Sequence, residues 1–375
     1  MQLGSCFPLA RWFIAFAMLA ASAPQSLREA ASVSGVLVGT AVRPSLLSEA
    51  AYATTLAREF NMLEPEDVLK WSVVRAAGES FGFRQGDEIV HFSRAHAMKV
   101  RGHCLVWDHS NPEWLAEGRF APAQLSHVLE QHITTVMKHY AGQVFAWDVV
   151  NEALDENGNV KDSLWYNKPG IGLADKGTAY IEQAFRWAHA ADPEALLFYN
   201  DAEGEGLNRK SDAIYAMVKD FKNRGVPIDG VGLQMHISHL DYDTDAVATN
   251  IERLTKLGPQ VHITELDVSL PVDSRGQAQK EDLQRPGGRL PARRSGMSSK
   301  SQLHRHSNMG IHRQILLDWL PLSGHTRRGP AFQSSVQTQA GLRRDTQGSH
   351  CGTQTRPVSP EACLRTRVSA SIMAA

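Results

Sequence analysis

Short apolar runs alternate with amphipathic stretches along the chain from Val36 to Glu265. Between the runs, apolar residues recur at helical spacing, as at Ile214, Val218 and Phe221. Strands that alternate with helices in this way indicate parallel βα units. The runs predict seven strands: Val36–Thr40, Phe60–Leu63, Val100–Trp107, Val144–Val150, Leu196–Tyr199, Val231–Met235 and Val261–Thr264. The fold predicted is an α/β (β/α)8 TIM barrel that lacks its eighth strand and last helix.

The periodic pattern ends after about Gln284. Residues 286–375 carry 13 Lys and Arg against 3 Asp and Glu, although the whole chain has a net charge of only −1. Ser, Gln, Arg, His and Gly alternate there without a sustained period, which is typical of a disordered segment. We therefore assign residues 31–285 to the barrel and 286–375 to a disordered basic tail.

The N-terminus has the features of a secretion signal. Arg11 precedes the apolar stretch Trp12–Ala21, and Ala21-Ser22-Ala23 fits a small-residue cleavage site. The stretch is too short to span a bilayer. Residues 1–23 are therefore predicted to be a signal peptide, so we expect a secreted or periplasmic protein with no membrane partner. The near-zero net charge gives no reason to expect nucleic acid as a partner.

Two predicted strands end in a glutamate. Glu152 lies in Trp147–Ala153, and Glu265 lies in Val261–Asp267. In a barrel of parallel strands, both would project into the mouth at the carboxyl ends of the strands. Two carboxyl groups facing each other across a sugar are what retaining glycoside hydrolysis requires. Taken alone, either glutamate could instead form a structural salt bridge.

Further segments occur in an order that resembles glycoside hydrolase family 10, the endo-1,4-β-xylanases. The resemblance runs from about Gly35 to Leu283, roughly two thirds of the chain. Its segments are Glu66–Trp71 (EDVLKW), Arg101–Trp107 (RGHCLVW), His132-Ile133, Trp147–Ala153 (WDVVNEA), Tyr199–Asp201 (YND), Pro227–His236 (PIDGVGLQMH) and Ile263–Asp267 (ITELD). It implies a TIM barrel that cleaves internal β-1,4 bonds of xylan by double displacement.

The resemblance also implies roles for individual residues. Glu152 matches the general acid/base, and Glu265 matches the nucleophile that forms a covalent glycosyl-enzyme. Asn151 matches a donor to the sugar 2-hydroxyl. Gln234 would hydrogen-bond the acid/base and His236 the nucleophile, since the two roles need carboxyl groups in different environments. Without the family resemblance, a histidine that follows an apolar strand, such as His236, would be interpreted as a core residue.

Four more residues match positions that bind the sugar chain. Lys70, His103 and Trp107 match the floor beneath the attacked xylose, and Glu66 matches a contact to the next sugar. The implied partners are xylan and xylo-oligosaccharides, bound by a monomer. The reaction needs no cofactor, and no residue cluster in the sequence has convincing metal-ligand spacing.

Four positions depart from the family pattern. Asp67 stands where the family usually has Asn, and Asp108 and Ser110 stand where it has His and Gln. Ala202 follows Asn200-Asp201 where the family has an aromatic residue. Ala202 removes an aromatic residue from the leaving-group side. We expect the departures together to affect sugar affinity and rate, and to leave the reaction class unchanged.

The tail lacks an eighth strand bearing Trp-Gly and the tryptophan that covers the reacting sugar in the family. Met309 is encoded by ATG and the Gly310 codon begins with G, so reading one base later gives TGG, tryptophan. Codons compatible with Pro286 to Leu342, when read one base later, can encode the family's last helix, strand and helix in that order. We infer a one-base frameshift near Arg285, which makes the basic tail an out-of-frame translation.

A barrel without its eighth strand is expected to expose unpaired edges on its first and seventh strands. The chain as written is therefore expected to be unstable and largely inactive. This leaves two alternatives to an active enzyme, an inactive xylan-binding remnant and a frameshifted pseudogene product. Among enzymes, the alternative is another β-1,4-glycanase.

Resequencing the gene across codons 280–345 tests the frameshift. We expect the frame one base later to encode the Trp-Gly strand and the second tryptophan. Stop codons or unrelated residues in that frame would contradict the inference.

Overall fold

The computed structural model describes residues 26–33, 35–237 and 243–271, together with the backbone of 306–309 and 370–373. For 268–271 the description is likewise confined to the backbone. The predicted signal peptide, residues 1–23, and most of the tail lie outside the described residues.

All seven predicted strands are present, with ends that differ by a few residues. Apolar and β-branched residues dominate them, and most of their side chains are buried, as expected for parallel strands covered by helices. The strands of the structure are β1 (Leu37–Val42), β2 (Met62–Pro65), β3 (Lys99–Val106), β4 (Ala146–Asn151), β5 (Leu196–Asp201), β6 (Gly230–Leu233), β7 (His236–Ile237), β8 (Gln260–Pro271), β9 (His306–Met309) and β10 (Ala370–Met373).

Helices follow most of the strands and cover the sheet with their apolar faces. The helices are α1 (Leu27–Val33), α2 (Ala50–Glu59), α3 (Trp71–Val74), α4 (Arg84–Ala95), α5 (Glu113–Ala116), α6 (Pro122–His139), α7 (Ala179–Ala191), α8 (Arg209–Asn223) and α9 (Thr244–Thr255). Asn208 begins α8 by accepting a hydrogen bond from Ser211 N. Among the described residues, none of these helices is both long and apolar enough to cross a membrane.

The sheet has the order of a (β/α)8 barrel. β1, β2, β3, β4, β5, β6 and β8 are parallel neighbours in that sequence. Their carboxyl ends therefore lie at one mouth, where the loops that follow them meet. The short strands β7 and β9 pair with β8 beyond the barrel.

The expectation that the first and seventh strands have unpaired edges is wrong for the described backbone. β10 pairs antiparallel with β1 and with β8, opposite Leu37–Thr40 and between His262 and Leu266. An open edge presents a row of N–H and C=O groups that any extended segment can satisfy. The position of the eighth strand is thus occupied, but by an antiparallel strand of the tail. The rest of the tail lies outside the described residues, so its lack of order stays a prediction.

Close approach between β3 and β4 depends on a glycine. Gly102 lies opposite Trp147 in the register of the two strands, and Trp147 is fully buried. A Cβ atom on Gly102 would lie 2.3 Å from the indole ring. The tryptophan packs in this place because residue 102 has no side chain.

The substitution Gly102→Ala tests this contact. We expect a loss of about 1–3 kcal/mol in the free energy of unfolding, since the ring and the strand must separate. Urea unfolding of both chains measures the loss. Gly82→Ala is the matched control because its nearest atoms, two backbone carbonyl oxygens, lie 4.0 Å from the new Cβ. Equal effects of the two substitutions would contradict the prediction.

Candidate active site

Glu152, directly after β4, and Glu265, just past the part of β8 that pairs with β6, belong to one polar network. Glu265 Oε1 accepts a hydrogen bond from Asn200 Nδ2 at 2.8 Å, and the same nitrogen donates to Asn151 Oδ1 at 2.9 Å. Gln234 Nε2 donates to Asn151 Oδ1 at 3.1 Å and to Glu152 Oε1 at 3.0 Å. Amide side chains from the ends of three strands therefore connect two carboxyl groups that are far apart in the chain.

Glu152 is held in an unusual backbone conformation. Its φ is 55°, in the left-handed region, which costs a residue with a Cβ atom about 1–3 kcal/mol. The hydrogen bond from Glu152 N to Asn200 O, 2.9 Å long, stabilises this turn. Trp107 Nε1 donates to the carboxyl at 3.1 Å and Asn151 Nδ2 at 3.3 Å, in addition to Gln234. The carboxyl thus has a fixed orientation towards the mouth of the barrel.

Glu265 is stabilised in its ionised form. Burial alone would raise its pKa, but the hydrogen bond from His236 and the positive charge of His103 outweigh burial and lower the pKa. Burial likewise lowers the pKa of His236, whereas hydrogen bonds to Asp267 and Glu265 raise it to about 10. His236 is therefore an imidazolium at neutral pH. Its Nδ1 donates to Asp267 at 2.9 Å, and its Nε2 lies 3.4 Å from Glu265 Oε2.

A tight turn after β6 directs the polar side chains on either side of Met235 to different carboxyl groups. Met235, between Gln234 and His236, has φ of 66°. Glu205 Oε1 accepts a hydrogen bond from Met235 N at 2.9 Å, and Asn250 Nδ2 donates to the Glu205 carbonyl at 3.0 Å. These contacts hold the turn, so that Gln234 reaches Glu152 and His236 reaches Glu265.

The residues that match the sugar floor lie together beside Glu152. Lys70 Nζ lies 5.2 Å from the centre of the Trp107 ring, and the His103 ring centroid lies 6.2 Å from that of Trp107. The Trp107 indole also donates to Glu152. Their proximity is compatible with one sugar site, and their individual roles in binding stay predictions.

Glu66 and Asp67 lie at the outer side of this floor, and each pairs with a cation. Glu66 accepts two hydrogen bonds from Arg43, both 2.7 Å long. Asp67, which departs from the family's asparagine, lies 3.0 Å from Lys70 Nζ. The departure thus places an ion pair where the family has an amide.

The other departures lie after β3, at Asp108 and Ser110, and after β5, at Ala202. Asp108 Oδ1 accepts a hydrogen bond from Leu164 N at 3.1 Å, and the Ser110 hydroxyl lies 3.1 Å from that of Ser72. Ala202 N donates to the side chain of Asp201. Asp108 thus binds the loop after β4, Ser110 contacts α3, and Ala202 carries only a methyl group.

A cavity of about 570 Å³ adjoins Glu152 and Asp108. Its size is within the range of small-molecule sites. It is formed by the ends of β3 and β4, the loop after β4 and the start of α7, with Trp107, Asp108, Glu152, Lys161, Trp165 and Tyr180 among its lining residues. Glu152 therefore faces a cavity large enough for a small ligand.

A buried charged cluster lies below the two glutamates and was not predicted from the sequence. Arg101, with no exposed surface, binds both carboxylate oxygens of the equally buried Asp148. His103 Nδ1 donates to Asp148 Oδ2 at 3.0 Å, and Arg101 Nη1 donates to His262 Nδ1 at 3.1 Å. Burial and the neighbouring Arg101 lower the pKa of His262 to about 2, so it accepts as a neutral ring.

The sequence does contain a signal for this cluster. Arg101 and His103 are two positions apart in an otherwise apolar strand, which places both side chains on one face. Asp148 and Glu64 are single carboxyl groups within apolar strands. Polar residues at such positions are expected to be paired across strands, but the pattern alone does not say with which partner.

The cluster also contains three side chains that could bind a metal. The ligand atoms of Glu64, His103 and Asp148 all lie within 4.8 Å of one another. However, the guanidinium of Arg101 already binds both oxygens of Asp148. A metal ion there would lie beside a fixed positive charge in a buried site, which is unfavourable. The arrangement therefore fits a salt-bridge network better than a metal site.

Comparison with known proteins identifies the family. The sequence model described as Glycosyl hydrolase family 10 matches residues 26–287, more than half of the chain. The chain therefore belongs to glycosyl hydrolase family 10.

Several proteins of known name are similar to this chain. Endo-1,4-beta-xylanase B of Thermotoga neapolitana is 39% identical over 228 residues, which cover 61% of this chain and 64% of the relative. The protein named Exoglucanase XynX of Acetivibrio thermocellus is 39% identical over 246 residues, 62% of this chain and 22% of the relative. The chain thus spans less than two thirds of the length of these relatives.

A solved structure is similar as well. Xylanase 10B from Thermotoga petrophila RKU-1, crystallised in complex with xylobiose, is 40% identical and superimposes with a TM-score of 0.63. The match covers 66% of this chain and 75% of the Thermotoga petrophila xylanase chain. The barrel prediction is therefore confirmed both by the strand order and by a relative of known structure.

The raised pKa of His236 predicts how stability depends on pH. The pKa of His236 is about 6.5 in the unfolded chain and about 10 in the native state. Its protonation therefore stabilises the native state, and this stabilisation is complete below pH 6.5. This contribution is lost as pH rises towards 10. We expect His236→Asn to lower the free energy of unfolding at pH 6, and the difference from the parent chain to shrink by pH 10. Urea unfolding at several pH values measures this.

His189→Asn is the control, because His189 is exposed near the end of α7 and makes none of the contacts described for the site. Its effect is expected to be small. A pH-independent effect of His236→Asn would contradict the assignment of His236 as an imidazolium.

Proposed function

We propose that this protein is a retaining endo-1,4-β-xylanase that hydrolyses internal bonds of xylan. The observation that carries the proposal is that the carboxyl groups of Glu152 and Glu265 are joined through Asn151, Asn200 and Gln234. Retaining hydrolysis needs one ionised nucleophile and one acid/base in a different environment. Glu265, with its lowered pKa and imidazolium partner, suits the first role.

In the first step, Glu265 Oε attacks the anomeric carbon and forms a glycosyl ester. The bond from that carbon to the leaving oxygen breaks, and Glu152 transfers its proton to this oxygen. The donors Trp107 and Gln234 keep the Glu152 carboxyl directed towards the cleft. The leaving part of the chain would lie in the cavity next to Glu152.

In the second step, Glu152 takes a proton from a water molecule. The water oxygen attacks the anomeric carbon, and Glu265 is released as a carboxylate. Asn151 would donate to the 2-hydroxyl of the reacting sugar. This step restores both glutamates to their starting protonation states and retains the configuration of the sugar.

Xylan is favoured as substrate by the relatives whose names give a xylanase and by a relative crystallised with xylobiose. A relative named as an exoglucanase keeps a second candidate, a glucan-cleaving β-1,4-glycanase. We further propose that the protein is a secreted or periplasmic monomer that needs no cofactor. The signal-like N-terminus supports export.

Product analysis with xylohexaose and cello-oligosaccharides tests the proposal. We expect cleavage of the xylose oligomer, with the new reducing end first in the β configuration by NMR. Glu265→Ala should lower kcat by at least about 10³-fold, and Glu152→Ala by about 10²–10⁴-fold on substrates with poor leaving groups. Glu156→Ala, an exposed glutamate in the loop after β4, is the matched control.

Three outcomes would count against the proposal. Faster cleavage of cello-oligosaccharides would favour the glucanase. Binding of xylo-oligosaccharide without products, unaffected by Glu265→Ala, would favour an inactive binding remnant. An α-configured first product would mean inversion, which goes with carboxyl groups about 6.5–9.5 Å apart rather than about 5–5.5 Å.

A further inference from the structure

A buried ion pair lies beside the candidate site, and the proposed reaction does not use it. Lys210 belongs to the first turn of α8, and only 5% of its side chain is exposed. Its Nζ lies 2.7 Å from Oδ1 of Asp201, the last residue of β5, whose side chain has no exposed surface. In the part of the chain that the structure describes, neither residue lines the cavity next to Glu152. A role of this pair in the reaction would therefore be an indirect one.

The position of Lys210 is unfavourable for a cation. The first turn of a helix carries a partial positive charge, so the macrodipole of α8 repels a lysine there. Burial adds a further cost unless the ammonium is paired. A buried ion pair also commonly gives little net stability over well-packed apolar residues. Stability alone thus gives little reason for a charged pair at this place, whereas the contacts of Asp201 give another.

The carboxyl group of Asp201 connects three segments near Glu152. Its Oδ2 accepts hydrogen bonds from the Tyr199 hydroxyl and from Leu154 N, the latter at 3.4 Å. Its Oδ1 accepts from Ala202 N at 2.9 Å and also faces the ammonium on α8. Leu154 is only two residues after Glu152. The side chain thus joins the loop after β4 to the end of β5 and to α8.

The backbone at the end of β5 holds Glu152 in two further ways. Asn200 O accepts a hydrogen bond from Glu152 N at 2.9 Å, and Asp201 O accepts one from Gln234 N at 3.1 Å. The side chain of Gln234 in turn donates to the Glu152 carboxyl at 3.0 Å. A shift of residues 200–201 would therefore move both the backbone of Glu152 and one of the donors that orient its carboxyl group.

We propose that Lys210 is a positioning residue that keeps the Glu152 carboxyl in place through Asp201. Without the ammonium, the Asp201 carboxyl loses the donor that ties it to α8, and the end of β5 can move. The charge of Lys161, in the loop after β4, also acts on Asp201, but the direct contact comes from Lys210. The effect on rate rests on the proposed glycosidase function, whereas the effect on the position of Glu152 does not.

The role of Glu152 determines which substrates should be affected. In the first step the bond from the anomeric carbon to the leaving oxygen breaks, and its electron pair goes to that oxygen. A sugar hydroxyl leaves with the proton of Glu152, whereas an acidic phenol can leave as its anion. A displaced Glu152 carboxyl should therefore slow cleavage between sugars and spare an activated aryl glycoside. A general loss of packing would slow both reactions.

The substitution Lys210→Met removes the ammonium and keeps most of the side-chain volume. We expect kcat/KM to fall about tenfold on xylohexaose and less than about twofold on dinitrophenyl β-xylobioside, since only the sugar leaving group needs the proton. Lys219→Met, at an exposed position of the same helix, is the matched control and should change neither value. Equal losses on the two substrates would overturn the proposal. Asp201→Asn should give the same selective loss, and it replaces Lys210→Met if that variant does not fold.

Glu152→Ala, measured on the same two substrates, separates this proposal from the proposed function. A large loss on xylohexaose with little loss on the aryl glycoside is expected of an acid/base residue. A selective loss in Glu152→Ala without one in Lys210→Met would overturn the positioning role alone. Equal losses on both substrates in Glu152→Ala would instead reject Glu152 as the acid/base.

The Trp107 indole reports the position of the Glu152 carboxyl without any need for activity. Its Nε1 donates to Glu152 Oε2 at 3.1 Å, whereas Trp114 Nε1 donates to Arg75 O at 2.9 Å, outside this network. The two indole signals are assigned in proton–nitrogen NMR spectra from Trp107→Phe and Trp114→Phe. In Lys210→Met we expect the Trp107 indole proton to shift in the direction seen for Glu152→Ala, and the Trp114 proton to keep its position.

The NMR result is decisive even in a chain that does not cleave xylan. A selective shift of the Trp107 signal in such a chain would support the positioning role and reject the proposed function. An unshifted Trp107 signal, or equal shifts of the Trp107 and Trp114 signals, would overturn the positioning role itself.

Discussion

The buried pair of Arg101 and Asp148 is the interaction on which the candidate site depends. It joins β3 to β4 inside the barrel, and neither side chain has any exposed surface. Removing one partner would leave an uncompensated charge, which costs about 3–5 kcal/mol. The pair also orients His103 through Asp148 and is satisfied on its other side by the neutral ring of His262. The charged groups below the two glutamates are thus paired with one another within the barrel.

Above these charged groups, a few amides serve both the fold and the proposed chemistry. The side-chain amide of Asn200 donates hydrogen bonds to Glu265 and Asn151. Its backbone carbonyl oxygen accepts a hydrogen bond from the backbone N–H of Glu152. The same contacts that hold a strained turn at Glu152 therefore set the relation between the two carboxyl groups. Strain of this kind persists only where surrounding contacts determine the conformation, as they do here and at Met235, which Glu205 stabilises.

Closure of the barrel is a separate constraint, and this chain meets it in an unusual way. A parallel eighth strand would pair with both neighbouring strands. The loop that follows it would then lie at the same mouth of the barrel as the other loops. β10 pairs with β1 and β8 but runs antiparallel to both. Strand pairing is thereby satisfied without the tryptophan that the family places over the reacting sugar.

The sequence by itself determined the seven strands and the positions of Glu152 and Glu265 directly after apolar runs. These are local properties, because period and β-branched content are encoded in consecutive residues. The pairing of Gln234 with Glu152 was implied by the order of family motifs, not by any local pattern. The tertiary structure alone decided that Arg101, Asp148, His103 and Glu64 form one cluster, and that a tail strand fills the last barrel position. The reason is that pairing across strands depends on register and burial, which bring together residues that no local pattern connects.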